Sequence, residues 1–304
     1  MQHLKLIFED IMQANVLYYD QDAESACFDI CNHLKIDNMP GIDGLHFYEL
    51  VNGNFEKKKV EVIHKVSVND NLLSAELFEK FKANRHNVLF VFEEDVLRGV
   101  VHISDYNRDL VLQKIQDDVL SFERKLRQLI LLNGFKNDNM LEYFEYKLKR
   151  NTSSHNVEYY DPRIKNYKKR KSEIDSLGPF QLFEFSDLMN FVSSSFSKVI
   201  YKVGNYTVGN TKRNSIEILR ELRNLAMHGK NPVSINRETS IYSLESLKLL
   251  TGSLEVLRKE YSEVSKKIRQ HPDFLRSTEL ENRKKLEIIH DHHPKALEYF
   301  LGFL

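Results

Sequence analysis

The sequence predicts an α+β protein, with an N-terminal α/β pair over residues 1–108 followed by an all-α helical bundle over residues 109–304. Three observations lead there. The first hundred residues carry two copies of a pattern with a period of roughly 48 residues, in which strand-like stretches alternate with a helix. From about Leu110 the apolar residues instead recur every three or four positions, the helical period. The charge also changes sign at this place: residues 1–108 hold 11 Lys/Arg against 18 Asp/Glu, and residues 109–304 hold 33 against 26. A chain of 304 residues with 41% hydrophobic and 29% charged content excludes wholesale disorder and fits about two domains of ~100–200 residues each. A polyanionic partner would meet the basic C-terminal part, because an acidic surface repels phosphate.

In the first copy, Val16-Leu17-Tyr18-Tyr19 leads through Asp22-Ala23-Glu24-Ser25-Ala26 to a helix with Phe28, Ile30 and Leu34, then to Asn38-Met39-Pro40-Gly41-Ile42-Asp43. In the second, Lys65-Val66-Ser67-Val68 leads to Asp70–Ala75, a helix with Leu77, Phe78 and Phe81, and Asn87-Val88-Leu89-Phe90-Val91-Phe92. Each copy closes on β-branched and aromatic residues, Phe47 to Val51 and Val96 to Ile103, giving the order strand, helix, strand, strand. Cys27 and Cys31, the two cysteines, lie one helical turn apart, a spacing that reads as buried free thiols rather than a zinc site.

The ending of the second copy, Gly99-Val100-Val101-His102-Ile103-Ser104-Asp105, resembles a CBS motif, and the likeness covers about residues 8–107. The resemblance implies a face-to-face, CBS-like pair that senses an adenosine-containing ligand in the clefts between its halves. His102, Ser104 and Asp105 would be the nucleotide-binding residues, with Asp105 accepting from ribose hydroxyls. His102 departs from the family's Ser/Thr, and Val51-Asn52-Gly53-Asn54 in the first copy lacks both hydroxyl and acid, so one cleft lacks its ligand set. The plainer reading is a folded spacer or dimerisation unit.

The bundle begins with a long amphipathic helix whose stripe is Leu112, Ile115, Val119, Phe122, Leu126 and Leu129. Further helices are expected near 185–201, 213–228 and 243–268, the last with Leu244, Leu247, Leu250, Leu254 and Leu257. Four helices make a bundle. Between the first two lies a basic insertion around 147–176. It holds Lys147-Leu148-Lys149-Arg150 and the run Arg163-Ile164-Lys165-Asn166-Tyr167-Lys168-Lys169-Arg170-Lys171. That run has no apolar periodicity and interleaves Tyr with cations, so Lys168, Lys169 and Arg170 are candidates for RNA contact, with bases stacking on the rings. A solvated loop is the alternative.

The third helix carries Arg223-Asn224-Leu225-Ala226-Met227-His228. Ile218, Leu222 and Leu225 can face the core, while Asn224 and His228, four apart, share the opposite side and Arg223 lies about 100° round. Gly229 and Pro232 are stop signals that place His228 in the final turn, where the helix dipole favours an imidazolium. An arginine grips two phosphate oxygens at once. Arg220 and Lys230 flank the set as further RNA-binding cations.

These residues resemble the Arg-x4–6-His signature of the HEPN superfamily in its Arg-Asn-x-x-x-His form, and Phe122-Glu123-Arg124-Lys125-Leu126-Arg127 looks like that family's opening helix. The likeness covers roughly residues 109–270. It implies a HEPN-type, metal-independent endoribonuclease working as a homodimer, with Arg223, Asn224, His228 and Glu123 catalytic, Glu123 orienting Arg223 or His228, and Arg127 contacting RNA. No cofactor would be required beyond a regulatory adenine nucleotide. Sensor–effector fusions of this sort resemble intracellular defence or toxin ribonucleases. The alternatives are a capping histidine beside a surface arginine, within a non-catalytic RNA- or partner-binding assembly protein, or a nucleotide-regulated adaptor. No apolar run approaches the ~18–20 residues of a membrane span, and the start lacks a signal peptide, so the expected location is cytoplasmic. His290-Asp291-His292-His293 reads as part of a solvent-facing tail around 272–304 rather than a metal site, and Leu297, Phe300, Leu301, Phe303 and Leu304 as an end that docks onto the bundle or a dimer mate.

Overall fold

The computed structural model describes residues 6–34, 36–74, 76–83, 87–171, 173, 180–181, 183–234 and 243–291, with side chains except those of residues 155 and 288–291. It is a mixed α+β structure made of two compact units. The first comprises Met1–Val119, Asn205–Arg213 and Glu217–Val256; the second Leu120–Gly204, Asn214–Ile216 and Leu257–Leu304. The texture change at 108/109 falls at the first turn of helix α3 (Asp109–Leu132), whereas the units divide that helix at 119/120. Composition registers where a helix begins, not where packing divides.

In the first unit the second copy has the expected order: β4 (Lys65–Ser67), α2 (Glu76–Ala83), β5 (Val88–Glu93) and β6 (Val96–His102). β5 is central, parallel to β4 and antiparallel to β6. Its position between two neighbours explains why Leu89, Phe90, Val91 and Phe92 are all buried, each contributing roughly 1.5–3 kcal/mol of transfer free energy. Leu77 and Phe81 are the buried face of α2, and Phe81 meets Tyr106 edge-on at 5.9 Å. Gly99 permits a close approach: a Cβ there would lie 2.9 Å from the Gln13 carbonyl oxygen, where Gln13 and Val100 exchange backbone hydrogen bonds.

The first copy departs from expectation at both ends. Val16–Tyr19 form no strand; Tyr19 N–H donates to the Pro40 carbonyl at 2.9 Å. After α1 (Glu24–Leu34), β1 (Asn38–Pro40) and β2 (His46–Val51) comes a third strand, β3 (Asn54–Lys59), in an all-antiparallel sheet of order β1-β2-β3. The β2–β3 turn is Asn52-Gly53 with φ of 51° and 84°, the left-handed pair that a two-residue hairpin requires. α1 buries Cys27 and Cys31 against Met39, Tyr19, Leu50 and Phe55, and both thiols are free. Burial pushes the Cys31 thiol up.

The helical expectations are met in the main by α3, α7 (Ser215–Met227) and α8 (Leu244–Gln270). Three others change. The basic insertion is not a loop: α4 (Asn137–Arg150) and α5 (Ser154–Lys169) are helices in the second unit. Tyr160, Ile164 and Tyr167 lie at i, i+4 and i+7, and Ile164 and Tyr167 are buried, so the tyrosine that looked like a stacking platform is a core residue. The helix expected near 185–201 stops early, as α6 (Phe185–Val192). Ser193, Ser194 and Ser197 hydroxyls donate to the carbonyls of Met189, Phe191 and Phe191, the competition with backbone bonding that makes serine a helix terminator. A hairpin of β7 (Asn205–Val208) and β8 (Thr211–Asn214) follows. The tail is helical as α9 (Pro272–Asp291), while 292–304, with the expected docking end and His292 and His293, lie outside the described residues. No described helix is long and apolar enough to cross a membrane.

Candidate functional site

α7 buries Ile218, Leu219, Leu222 and Ala226. Leu225, expected in the core, is only half-buried, because the apolar stripe runs through Ala226 instead. Arg223 and Asn224 are half-buried on the other flank, and His228 is exposed just past the last helical residue, its N–H donating to the Asn224 carbonyl at 3.2 Å. The helix ends in a Schellman motif. Lys230 N–H reaches the Leu225 carbonyl at 3.1 Å and Gly229 N–H the Ala226 carbonyl at 3.4 Å, with Gly229 at φ +58°. The stop signals thus set His228 as the C-cap, one turn beyond Asn224.

The segment after the motif is pinned. Asn107 donates from Nδ2 to the Val233 carbonyl at 2.9 Å and accepts the Val233 N–H at 2.8 Å, so that a side chain imitates one rung of a sheet. Ser234 Oγ meets Ser246 Oγ at 2.6 Å and its carbonyl accepts from Ser243 N–H at 2.8 Å. Gln116 donates to Met227 Sδ at 3.6 Å. Arg213 holds Glu221 through both guanidinium nitrogens and approaches Glu217 at 3.8 Å, which neutralises the early turns of α7. Arg220 and Lys230 are exposed.

Glu123 and Arg127 belong to the second unit. They form an ion pair at 3.1 Å with both side chains largely buried, and Arg127 Nε also donates to the Phe180 carbonyl at 3.1 Å. The assignment of Arg127 to RNA contact is corrected by this pairing: drawing it away would strand a buried carboxylate, at a cost of about 3–5 kcal/mol. In the basic run Lys168 is paired with Glu145 and Arg170 with Glu173, each at 2.7 Å in surface ion pairs, and Lys168 and Lys169 are both exposed.

His102, Ser104 and Asp105 are brought together, but they satisfy the chain itself. The Asp105 carboxylate, 7% exposed, accepts from His102 N–H at 2.8 Å, Gln13 Nε2 at 3.1 Å and Arg108 at 3.1 Å. It caps the 3-10 turn Ile103–Asn107 rather than facing a ribose. Burial lowers the His102 imidazole below its ordinary value, and its Nδ1 contacts the Ser104 hydroxyl at 2.7 Å and N–H at 3.2 Å. Among the described residues no group of three or more His, Cys, Asp or Glu side chains could hold a metal ion.

No protein-family model, curated protein or solved structure matches this chain. What the residues can do therefore follows from their own chemistry. Arg223, Asn224 and His228 supply a permanent cation, an amide and a titratable base on the end of one capped helix.

Sequence reading missed Asn107, whose partner lies 126 residues away, and two buried carboxylates. Glu260, fully buried, accepts from Tyr201 Oη at 2.5 Å and Gly204 N–H at 3.1 Å, and Gly204 in turn accepts from Ser215 N–H at the start of α7. Asp187 accepts from Tyr159 Oη at 2.9 Å and Glu184 N–H at 3.2 Å, and burial raises its pKa to about 6. Nothing local in the sequence marks any of the three.

Proposed function

We propose that this chain is an endoribonuclease whose reaction centre is the end of α7. The observation that carries the reading is the arrangement of that end. A Schellman stop leaves His228 exposed at the C-cap, one turn from Asn224, with Arg223 half-buried in the same last turns and the following loop anchored by Asn107. His228 removes the proton from a ribose 2′-hydroxyl. The 2′-oxygen bonds to the adjacent phosphorus, and the bond from phosphorus to the 5′-oxygen breaks. The imidazolium returns its proton to the departing oxygen, and a 2′,3′-cyclic phosphate remains. Arg223 stabilises the charge that develops on the phosphoryl oxygens, and Asn224 positions the strand. RNA supplies its own nucleophile, so these steps are complete without a metal-activated water.

His228 stands in open solvent in a single chain, where a general base and a cation act at high dielectric and weakly. A second copy facing α7 would close the site and double the cations, so the working form in this proposal is a homodimer. Gating by an adenosine ligand does not enter, because the Asp105 carboxylate that would hold the ribose already has three partners in the chain.

The test is digestion of mixed RNA in excess chelator, followed by analysis of the 3′ ends. Cyclic phosphate produced by the parent and lost in His228→Ala is the expected result. RNA bound but left intact by the parent would instead make this a non-catalytic RNA-binding assembly protein.

A further inference from the structure

The cations around α5 are mostly spent within the fold. Arg163 pairs with Glu184 at 2.8 Å, Lys165 with Asp161 at 2.7 Å, Lys168 with Glu145 at 2.7 Å and Lys171 with Asp138 at 3.0 Å. The end of α4 differs. Lys147, Lys149 and Arg150 form its last turn, and Lys198 lies in the turn after α6; none of these four has a carboxylate partner within 4.0 Å among the described residues.

Specific contacts bring the last turn of α4 and the turn after α6 to one surface. The Tyr146 hydroxyl accepts from Arg150 and lies 3.2 Å from Ser195 Oγ, which ties the last turn of α4 to the turn after α6. The Phe196 ring lies 5.7 Å from Tyr143 and 5.6 Å from Tyr146, and Lys147 Nζ is 5.6 Å from the Tyr143 ring. Lys198 N–H donates to the Ser195 carbonyl at 3.2 Å, so its side chain springs from the same turn. Cations in a last helical turn are favoured by the carbonyl end of the helix. That accounts for the three on α4, but not for a facing turn that adds a fourth cation and an exposed hydroxyl with no carboxylate.

We propose that this surface, Lys147, Lys149, Arg150 and Lys198 around Tyr146 and Ser195, docks the phosphodiester backbone of single-stranded RNA. The inference rests on the ribonuclease reading in taking RNA as the partner. The Arg150 guanidinium fits two phosphate oxygens, the Ser195 hydroxyl donates to a third, and the lysines act as point charges. Such contacts carry no base information, so docking is indifferent to sequence and weakens with salt. The Arg150 guanidinium, 5.4 Å from the Tyr146 ring, occupies the aromatic face, so base stacking has no part in it.

The test measures anisotropy of a fluorescein-labelled single-stranded RNA with the full chain carrying His228→Ala, to keep the RNA intact. Adding Lys147→Glu with Arg150→Glu should weaken binding at least ~10-fold at low salt, and the two lost contacts should flatten log K against log salt by about 1.4. Lys165→Glu with Lys168→Glu, an equal change of charge on the paired surface, should stay within about twofold. Equal weakening by both pairs, or by neither, or no RNA binding at low salt without these additions, overturns the proposal. Should the reversed pair fail to fold, as judged by circular dichroism, Lys147→Gln with Arg150→Gln removes the charges alone and carries the same comparison. Cleavage by the parent is assayed in parallel. Binding confined to this surface without cleavage sinks the ribonuclease reading alone, and cleavage with affinity untouched by the reversal sinks this one alone.

Discussion

Asp187 should make part of the chain less stable as pH rises, and Asp187→Asn should reverse that dependence. The carboxyl is 3% exposed and its pKa stands at about 6 against an ordinary value of 3.8, a difference worth about 3 kcal/mol at 1.36 kcal/mol per unit. The folded state holds the proton more tightly than the unfolded one. Stability is therefore greatest below about pH 4, falls as pH rises between about 4 and 6, and carries the full cost of a buried charge above that.

Asparagine removes the ionisation and still accepts from Tyr159. It turns an amide towards Glu184 N–H, losing a capping bond worth ~1 kcal/mol. It also gives up the attraction of Arg163, 4.0 Å away. The variant should thus be more stable than the parent by roughly 1–2 kcal/mol at pH 8 and less stable by ~1 kcal/mol at pH 4, the two profiles crossing between. The chain has no Trp and 14 Tyr, so urea unfolding followed by tyrosine fluorescence from pH 4 to 8 reports on the aromatic cluster around Tyr159 and Tyr160. Parallel profiles across that range would refute the reasoning.

Other perturbations address the end of α7. His228→Ala should slow RNA cleavage by ~10²–10⁴-fold in a chelator assay while leaving the melting temperature unchanged, since the side chain is exposed. Asn107→Ala removes two hydrogen bonds to Val233 and should cost ~1–3 kcal/mol. Amide exchange at Val233 should speed up with it, and protection equal to the parent's would show that the clamp is not what holds the loop. Gly229→Ala places a Cβ at φ +58° with nothing within 4 Å to clash, so the backbone strain alone should cost ~1 kcal/mol. A loss several times larger, measured by thermal unfolding, would mean that more than the turn is disturbed.

The end of α7 was legible because its signals are local. A glycine immediately after a helical stripe, and a proline three residues on, need no knowledge of the rest of the fold to mark a C-cap. β5 was legible for a similar reason, its unbroken apolar run fitting a strand with neighbours on both sides. The β2–β3 hairpin had an equally local signal, Asn52-Gly53, which comparison with the second copy of the repeat obscured. α5 was hidden because its core-facing residues are Tyr160, Ile164 and Tyr167, set among enough lysine and arginine to pass for a solvated stretch.

By itself, then, the sequence determined the mixed α+β class, the long amphipathic helices and the capped position of His228, all of which follow from periods and stops readable within a few turns. Only the tertiary structure decided that Arg127 and Asp105 are spent on internal partners, that Asn107 holds Val233 across 126 residues, and that the cations left over cluster at the end of α4. The physical reason is that a charge or hydrogen-bonding group has no fixed meaning along the chain. Whether it faces solvent, caps a turn or stands paired in the interior depends on which distant segment folds against it.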